Sequence, residues 1–215
     1  MTLKPITPKS RVRVRRLAKR AVYEEQAILD ILDEALICHV GFVDDAQPYV
    51  LPIIHGRIGT TLYFHGSQSN RMLGALTDGI EMCATATIID GLVLARSAFH
   101  HSMNYRSVVI LGRGTAVLDP EEKTRALEAT MERLKPGRWA DARPPTDKEL
   151  EQTLMVSLPI EEASAKVRTG PPLDDEEDYE LPIWAGVLPL SLTPTNGLVP
   201  DPRLIAGVDV PGYLQ

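Results

Sequence analysis

Cysteine is nearly absent: Cys38 and Cys83 are the only two in 215 residues. Two thiols build neither a disulfide framework nor a zinc ribbon. Both stand in apolar, strand-like runs where buried free thiols are expected, and a reducing, cytoplasmic setting fits. No apolar run approaches the roughly 18 residues of a membrane span. The opening MTLKPITPKSRVRVRRLAKR has basic residues but no apolar stretch behind them, so no secretory signal is expected there. An excess of positive charge is missing too. The formal net charge is -6 and the pI about 5.4, which argues against a dedicated nucleic-acid binder.

Catalytic and ligand motifs are also missing. His39, His55, His65, His100 and His101 show no H-E-x-x-H spacing. The adjacent pair His100-His101, read as part of a strand, would point to opposite faces, so no dedicated metal site is expected. There is no Gly-x-Ser-x-Gly elbow for a serine hydrolase. Gly112-Arg113-Gly114 lies within a strand-like run rather than after one, so it makes no dinucleotide fingerprint.

What is present is ordinary for a folded domain, with 44% hydrophobic and 24% charged residues. The charge is uneven. Arg11, Arg13, Arg15, Arg16, Lys19 and Arg20 form a basic arm, while Asp174, Asp175, Glu176, Glu177 and Asp178 form an acidic run. Either both are solvated segments, or the arm meets an anionic ligand or an acidic surface on a partner subunit. The chain divides into an arm at 1–20, a domain at 21–192 with a helical insertion at about 119–153, and a Pro-rich, irregular tail at 193–215.

Within the domain, Glu24 to Ala35 has helical spacing, with Ile28, Ile31, Leu32 and Ala35 on one face. Strands are expected at Leu36–Val43 and, across an Asp44–Gln47 turn, at Tyr49–His55, where Pro52 implies an edge or a bulge. Gly56–Thr60 reads as a turn into the strand at Leu62, and Met72–Leu76 as a short helix. Glu81–Ile89 and Leu92–Phe99 read as two strands joined by an Asp90-Gly91 hairpin. Ser107–Leu118 is the longest strand, with a bend at Gly112 and Gly114. Asp119-Pro120-Glu121-Glu122 starts a helix, and Thr146 to Glu149 is a capping box for another. Further strands are expected over Met155–Ile160, Ala165–Arg168 and Ile183–Leu188. Short turns without strand–helix alternation predict a mainly β fold with peripheral helices, a six-stranded antiparallel barrel.

The chemistry centres on TLYFHGSQSNRML, Thr61 to Leu73. A strand runs into Ser67, Ser69 and Arg71 at a helix start, a grouping whose hydroxyls and forked cation suit a phosphate. The bland alternative is a polar turn with a surface arginine. Asn104-Tyr105-Arg106-Ser107 adds a second polar group with a cation. Trp184, beside Ala185-Gly186, offers a flat surface for a planar ring, or else simply fills core.

Taken together, several stretches resemble the flavin-binding split barrels related to pyridoxamine 5′-phosphate oxidase, and most closely their nitroimidazole-reductase-like, flavin-nucleotide-binding branch. They are ALICHVGF (Ala35–Phe42), QPYVLP (Gln47–Pro52), LYFHGS (Leu62–Ser67), NYRSV (Asn104–Val108), AKVRTG (Ala165–Gly170) and IWAGV (Ile183–Val187). The resemblance runs from about Arg15 to Leu190. It implies a homodimer of six-stranded split barrels with FMN in two clefts between subunits.

On that pattern the backbone from Pro52 to His55 passes the flavin ring. Phe64 and His65 fall at flavin contacts, Ser69 and Arg71 at the phosphate, and Trp184 at a late tryptophan that reaches the flavin. Ser107 replaces a flavin-contacting glutamine of the oxidase. The oxidase's substrate residues do not carry over. No Ser-Arg-Pro-x-x-Ser-Gln-Ile-Gly stretch occurs, and Arg203-Leu204 is followed by Ile205 instead of histidine. The resemblance therefore implies an oxidoreductase acting on another small molecule, a nitro-compound or quinone. His65 is the candidate proton donor, or else only a hydrogen-bond partner of the cofactor. Deazaflavin (F420) or haem in place of FMN, and a non-catalytic flavin-binding or regulatory module, remain the alternatives.

Overall fold

The computed structural model describes residues 11–195 and 197–214, so the first ten residues of the basic arm lie outside the described residues. In chain order the elements are β1 (Ala21–Val22), α1 (Glu25–Glu34), β2 (Cys38–Asp44), β3 (Gln47–Ile53), β4 (His55–Ile58), β5 (Thr61–Ser67), α2 (Arg71–Thr77) and β6 (Glu81–Leu94). They continue with β7 (Ser102–Arg113), β8 (Thr115–Ala116), α3 (Pro120–Leu134), α4 (Asp147–Glu151), β9 (Thr153–Pro159), β10 (Glu162–Arg168) and β11 (Gly186–Pro189).

One sheet has the order β1-β10-β7-β6-β2-β3, with β11 joining β6, and a second has the order β4-β5-β9-β8. Every pairing among the described residues is antiparallel. The expected architecture stands: mainly β, helices on the periphery, a split barrel whose sheets do not close. Among the described residues the strands number eleven rather than six, because short pieces extend both sheets.

The core lies where the sheets face each other. Val40 and Phe42 of β2, Leu62 and Phe64 of β5, Ile110 of β7 and Leu158 of β9 are buried there together. Ile28, Ile31 and Leu32 of α1 join them at the three- and four-residue spacing of an apolar helix face. Strand alternation turns Tyr63 the other way, into a smaller cluster with Val117, Ala126 and Met155 against α3. The Asp119 cap and Pro120 start α3, and the Thr146–Glu149 capping box starts α4, as the sequence predicts. Cys38 is buried, and burial pushes its thiol up to about 12; Cys83 is half-buried and also raised. No described helix is long and apolar enough to cross a membrane.

Five local expectations need correction. Gly56–Thr60 is not simply a turn. His55–Ile58 is strand β4, which pairs with β5, and only Gly59-Thr60 turns the chain. The strand expected over Tyr49–His55 therefore ends at Ile53, and His55 belongs to the other sheet. Pro52 does sit on an edge strand, since β3 ends its sheet.

Asp90-Gly91 closes no hairpin. β6 runs through it, with a bulge against β7 between Ile89 and Gly91. The dipeptide meets other needs there. Asp90 accepts from Arg106 across the pair, and a Cβ on Gly91 would come within 2.9 Å of Leu188 O, so glycine lets β11 approach. His100 and His101 are not on a strand: Ala98–His100 is a 3-10 turn capped by Ser97. The last strand is shorter than Ile183–Leu188; it is Gly186–Pro189, which leaves Trp184 outside any element.

The bend expected near Gly114 is the point where the chain leaves the first sheet for the second, between β7 and β8. A Cβ there would collide with Val156 Cγ1 and approach Met82 Cε to 2.7 Å.

Candidate functional site

Strand β5 and the start of α2 bring four of the expected site residues onto one continuous segment: His65, Ser67, Ser69 and Arg71. The segment is held by its own chain. The Ser67 and Ser69 hydroxyls are 2.8 Å apart, and Ser69 N donates to Ser67 Oγ at 3.1 Å. Asn70 N donates to Ser67 O at 2.9 Å, and the Asn70 side chain accepts from Leu73 N at 3.1 Å, capping α2. Gln68 Nε2 donates to Glu151 O at 2.8 Å, tying the turn to α4. A Cβ on Gly66 would lie 2.9 Å from Leu73 Cδ1, so the glycine lets α2 fold back over β5.

Both hydroxyls and the Arg71 guanidinium are exposed, as donors for an outside anion must be. Arg71 is aimed by a residue the sequence did not single out as a site member. Its Nη1 donates to the Tyr49 hydroxyl at 3.0 Å, and its guanidinium carbon lies 5.5 Å from the Tyr49 ring centroid. That ring stacks on Phe42, centroids 5.4 Å apart. An aromatic residue on an edge strand, opposite Phe42 in register, was the available signal.

His65 is half-buried, and its Nδ1 is shielded from solvent without a hydrogen-bond partner. Burial lowers its pKa, which favours the neutral ring with one nitrogen open as an acceptor or ligand. His55 differs. It is fully buried, with Nε2 2.8 Å from Leu32 O, and burial beside the Arg133 cation depresses its pKa to about 4. Phe64, its partner in register, is also fully buried, so both rings are core and their strands can meet a ligand only through backbone. Pro52 is exposed on β3 opposite His39.

The remaining expected residues lie on other elements. Arg106, on β7, is engaged by two carboxylates: Nη2 donates to Glu34 Oε1 and to Asp90 Oδ1, each at 2.7 Å. These partners raise its pKa and occupy the fork that a phosphate would need. Ser107 is half-buried in the same strand, its hydroxyl 3.4 Å from Lys166 O. Trp184 is 70% exposed, its ring curled over the Cβ-less face of Gly186. It is an available flat surface and not core.

The chain is similar to the flavocytochrome Anf3 from Azotobacter vinelandii, with 41% identity, 98% of this chain and 97% of that one covered, and a TM-score of 0.90. It is similar to an FAD and heme binding protein from Mycobacterium smegmatis, at 34% identity, 91% and 95% coverage and a TM-score of 0.85. A candidate 5-nitroimidazole antibiotic resistance protein from Bacteroides thetaiotaomicron is more distant, at 26% identity, 68% and 86% coverage and a TM-score of 0.56. No curated protein matches the chain. The family model described as pyridoxamine 5′-phosphate oxidase matches residues 24–167. The chain therefore belongs to the flavin-binding, pyridoxamine 5′-phosphate oxidase-like family.

Proposed function

We propose that this chain is a flavin- and haem-binding redox protein that passes electrons to a small molecule such as a nitro-compound or quinone. One observation carries the reading. A single short segment, β5 into α2, carries an unpartnered imidazole nitrogen, two exposed hydroxyls and an aimed guanidinium. Ser67, Ser69 and Arg71 have the donor chemistry a flavin phosphate needs. His65 offers the neutral imidazole that a flavin hydrogen bond or a haem iron calls for. Trp184 supplies an exposed face for a planar ring. A bound flavin supplies hydride and electron transfer and a haem one-electron transfer, while the chain binds, orients and shields.

The haem enters this reading through the flavocytochrome and the FAD and heme binding protein, two relatives similar over nearly the whole chain. The second of these also favours FAD over the FMN expected from the family pattern. Both nucleotides carry the ring and the phosphate that the turn would read. The absorbance spectrum of the purified protein tests the proposal. Flavin bands together with a Soret band support it, and chromatography of the released flavin separates FAD from FMN. A protein that takes up neither group on incubation overturns it.

We also propose that two copies assemble. Val50 is 66% exposed on the open edge strand β3, with Leu51, Ile54 and Val43 also exposed nearby in the chain. Ile183, Leu188 and Leu190 lie bare beside Trp184 in sequence. An isologous two-fold contact would cover such apolar edges. Light scattering should give twice the 23.7 kDa chain mass, and a stable monomer loaded with flavin would remove the claim.

A further inference from the structure

The acidic run is not part of the flavin site, yet the fold uses it. Six of the seven residues from Asp174 to Glu180 are carboxylates. The Asp174 side chain is fully covered and accepts from Arg96 N at 3.1 Å, Ser97 N at 3.2 Å and Arg96 Nη1 at 3.1 Å. Arg96 also lies over the Tyr179 ring, 4.8 Å from its centroid. These contacts lock the loop after β6 to the segment after β10. They bring the 3-10 turn Ala98–His100 against the 3-10 turn Glu176–Glu180.

The lock gathers a second set of side chains. His100 Nε2 is 3.2 Å from Asp175 Oδ2. The ligand atoms of His100, Asp175 and Asp178 all lie within 4.8 Å of one another, and His100 and Asp178 are half-buried. An ordinary histidine–carboxylate pair would account for Asp175 alone. The Asp178 carboxylate faces the same spot and takes no hydrogen bond from the described residues.

We propose that His100, Asp175 and Asp178 form a divalent-cation site suited to Zn2+, with water completing the coordination. One imidazole nitrogen and two carboxylate oxygens are a zinc-type donor set, and a site for calcium would use oxygens only. Two ligands about 2.0–2.1 Å from a tetrahedral ion stand about 3.3 Å apart, close to the separation His100 and Asp175 already have. The cation also offsets the mutual repulsion of the acidic run, which holds no lysine or arginine of its own. Bound there, it would cross-link the two loops that Asp174 and Arg96 pin.

The test uses the full chain with its cofactors in place, stripped of loose metal with EDTA and dialysed against Zn2+ in excess Mg2+. One Zn2+ per chain should be retained beyond any haem iron, and the thermal unfolding midpoint should rise. His100→Ala and Asp178→Asn should each weaken Zn2+ binding by about tenfold or more and lose that rise. Asp178→Asn carries the test if His100→Ala disturbs the loop, since no hydrogen bond to Asp178 is lost. Failure of the parent to retain Zn2+, or equal retention by both variants, overturns the site.

Discussion

Arg71 reaches from the first residue of α2 to the edge strand β3, where its guanidinium both stacks on Tyr49 and donates to the Tyr49 hydroxyl at 3.0 Å. The contact joins α2 to the edge of the first sheet beside the exposed turn of Ser67 and Ser69, and it holds a flexible cation in one orientation. A forked, charge-assisted contact to phosphate contributes roughly 1.5–3 kcal/mol. Arg71→Ala should therefore weaken FMN binding to the apo-protein by about ten- to a hundredfold and leave riboflavin binding unchanged. Tyr49→Phe keeps the ring and removes the hydroxyl, so its effect should be smaller, about 0.5–1.5 kcal/mol, and again confined to the phosphate-bearing ligand. Equal losses for FMN and riboflavin would show that Arg71 does not read the phosphate.

The contact with Tyr49 also shows where reading the sequence stops. Adjacent residues on one strand-to-helix segment, such as His65, Ser67, Ser69 and Arg71, are legible because spacing along the chain fixes their neighbourhood. Tyr49 meets Arg71 only through tertiary packing, which a one-dimensional pattern does not encode. Asp90-Gly91 illustrates the converse. The dipeptide has the composition of a hairpin turn, but β6 has neighbours along both halves, and Arg106 and β11 turn that composition into a bulge. Arg106 reads in sequence as the cation of a second polar group, whereas Glu34, 72 residues away, and Asp90 engage it in the fold. The core was the most legible part, because helical and strand periods mark buried faces directly.

Gly56 tests how tightly α3 is seated on β4. A Cβ there would overlap Thr130 Oγ1 and come within 3.0 Å of Ala126 O and 3.1 Å of Thr130 N. Two of those three atoms are backbone and cannot rotate away. Gly56→Ala should cost about 1–3 kcal/mol of stability, the usual range for overpacking, as measured by denaturant unfolding. A neutral result would mean that α3 is free to shift off the sheet.

His55 sets a pH dependence. Its ordinary value of 6.5 is depressed to about 4, first by burial and then by the Arg133 cation. The folded state thus keeps the ring neutral, while the unfolded chain takes up a proton below about pH 6.5. The contribution is complete above that value and is lost as the pH falls toward 4. Over the window it amounts to roughly 3 kcal/mol. Unfolding free energies measured between pH 7 and pH 4 should fall accordingly. His55→Gln should be less stable at pH 7 and should have a shallower slope; an unchanged slope would assign the acid sensitivity to other groups.

His65 stands on the strand that feeds the turn of Ser67 and Ser69, half-buried, with Nδ1 unpartnered. Its lowered pKa follows from burial. At neutral pH the ring is uncharged, so its use lies in the open nitrogen, as acceptor, ligand or relay for a proton arriving from elsewhere. Glutamine has a similar reach and hydrogen-bonds, but it neither titrates in this range nor replaces an imidazole ligand. His65→Gln should keep flavin absorbance. If the ring relays a proton, reoxidation of the reduced flavin by nitro-compounds and quinones should slow by about a hundredfold, with the Soret band unchanged. If the ring ligates haem iron, the Soret band should shift or vanish while flavin reduction proceeds at its former rate. Stopped-flow traces at flavin and haem wavelengths separate these two outcomes. Parental behaviour at both would leave His65 with neither role.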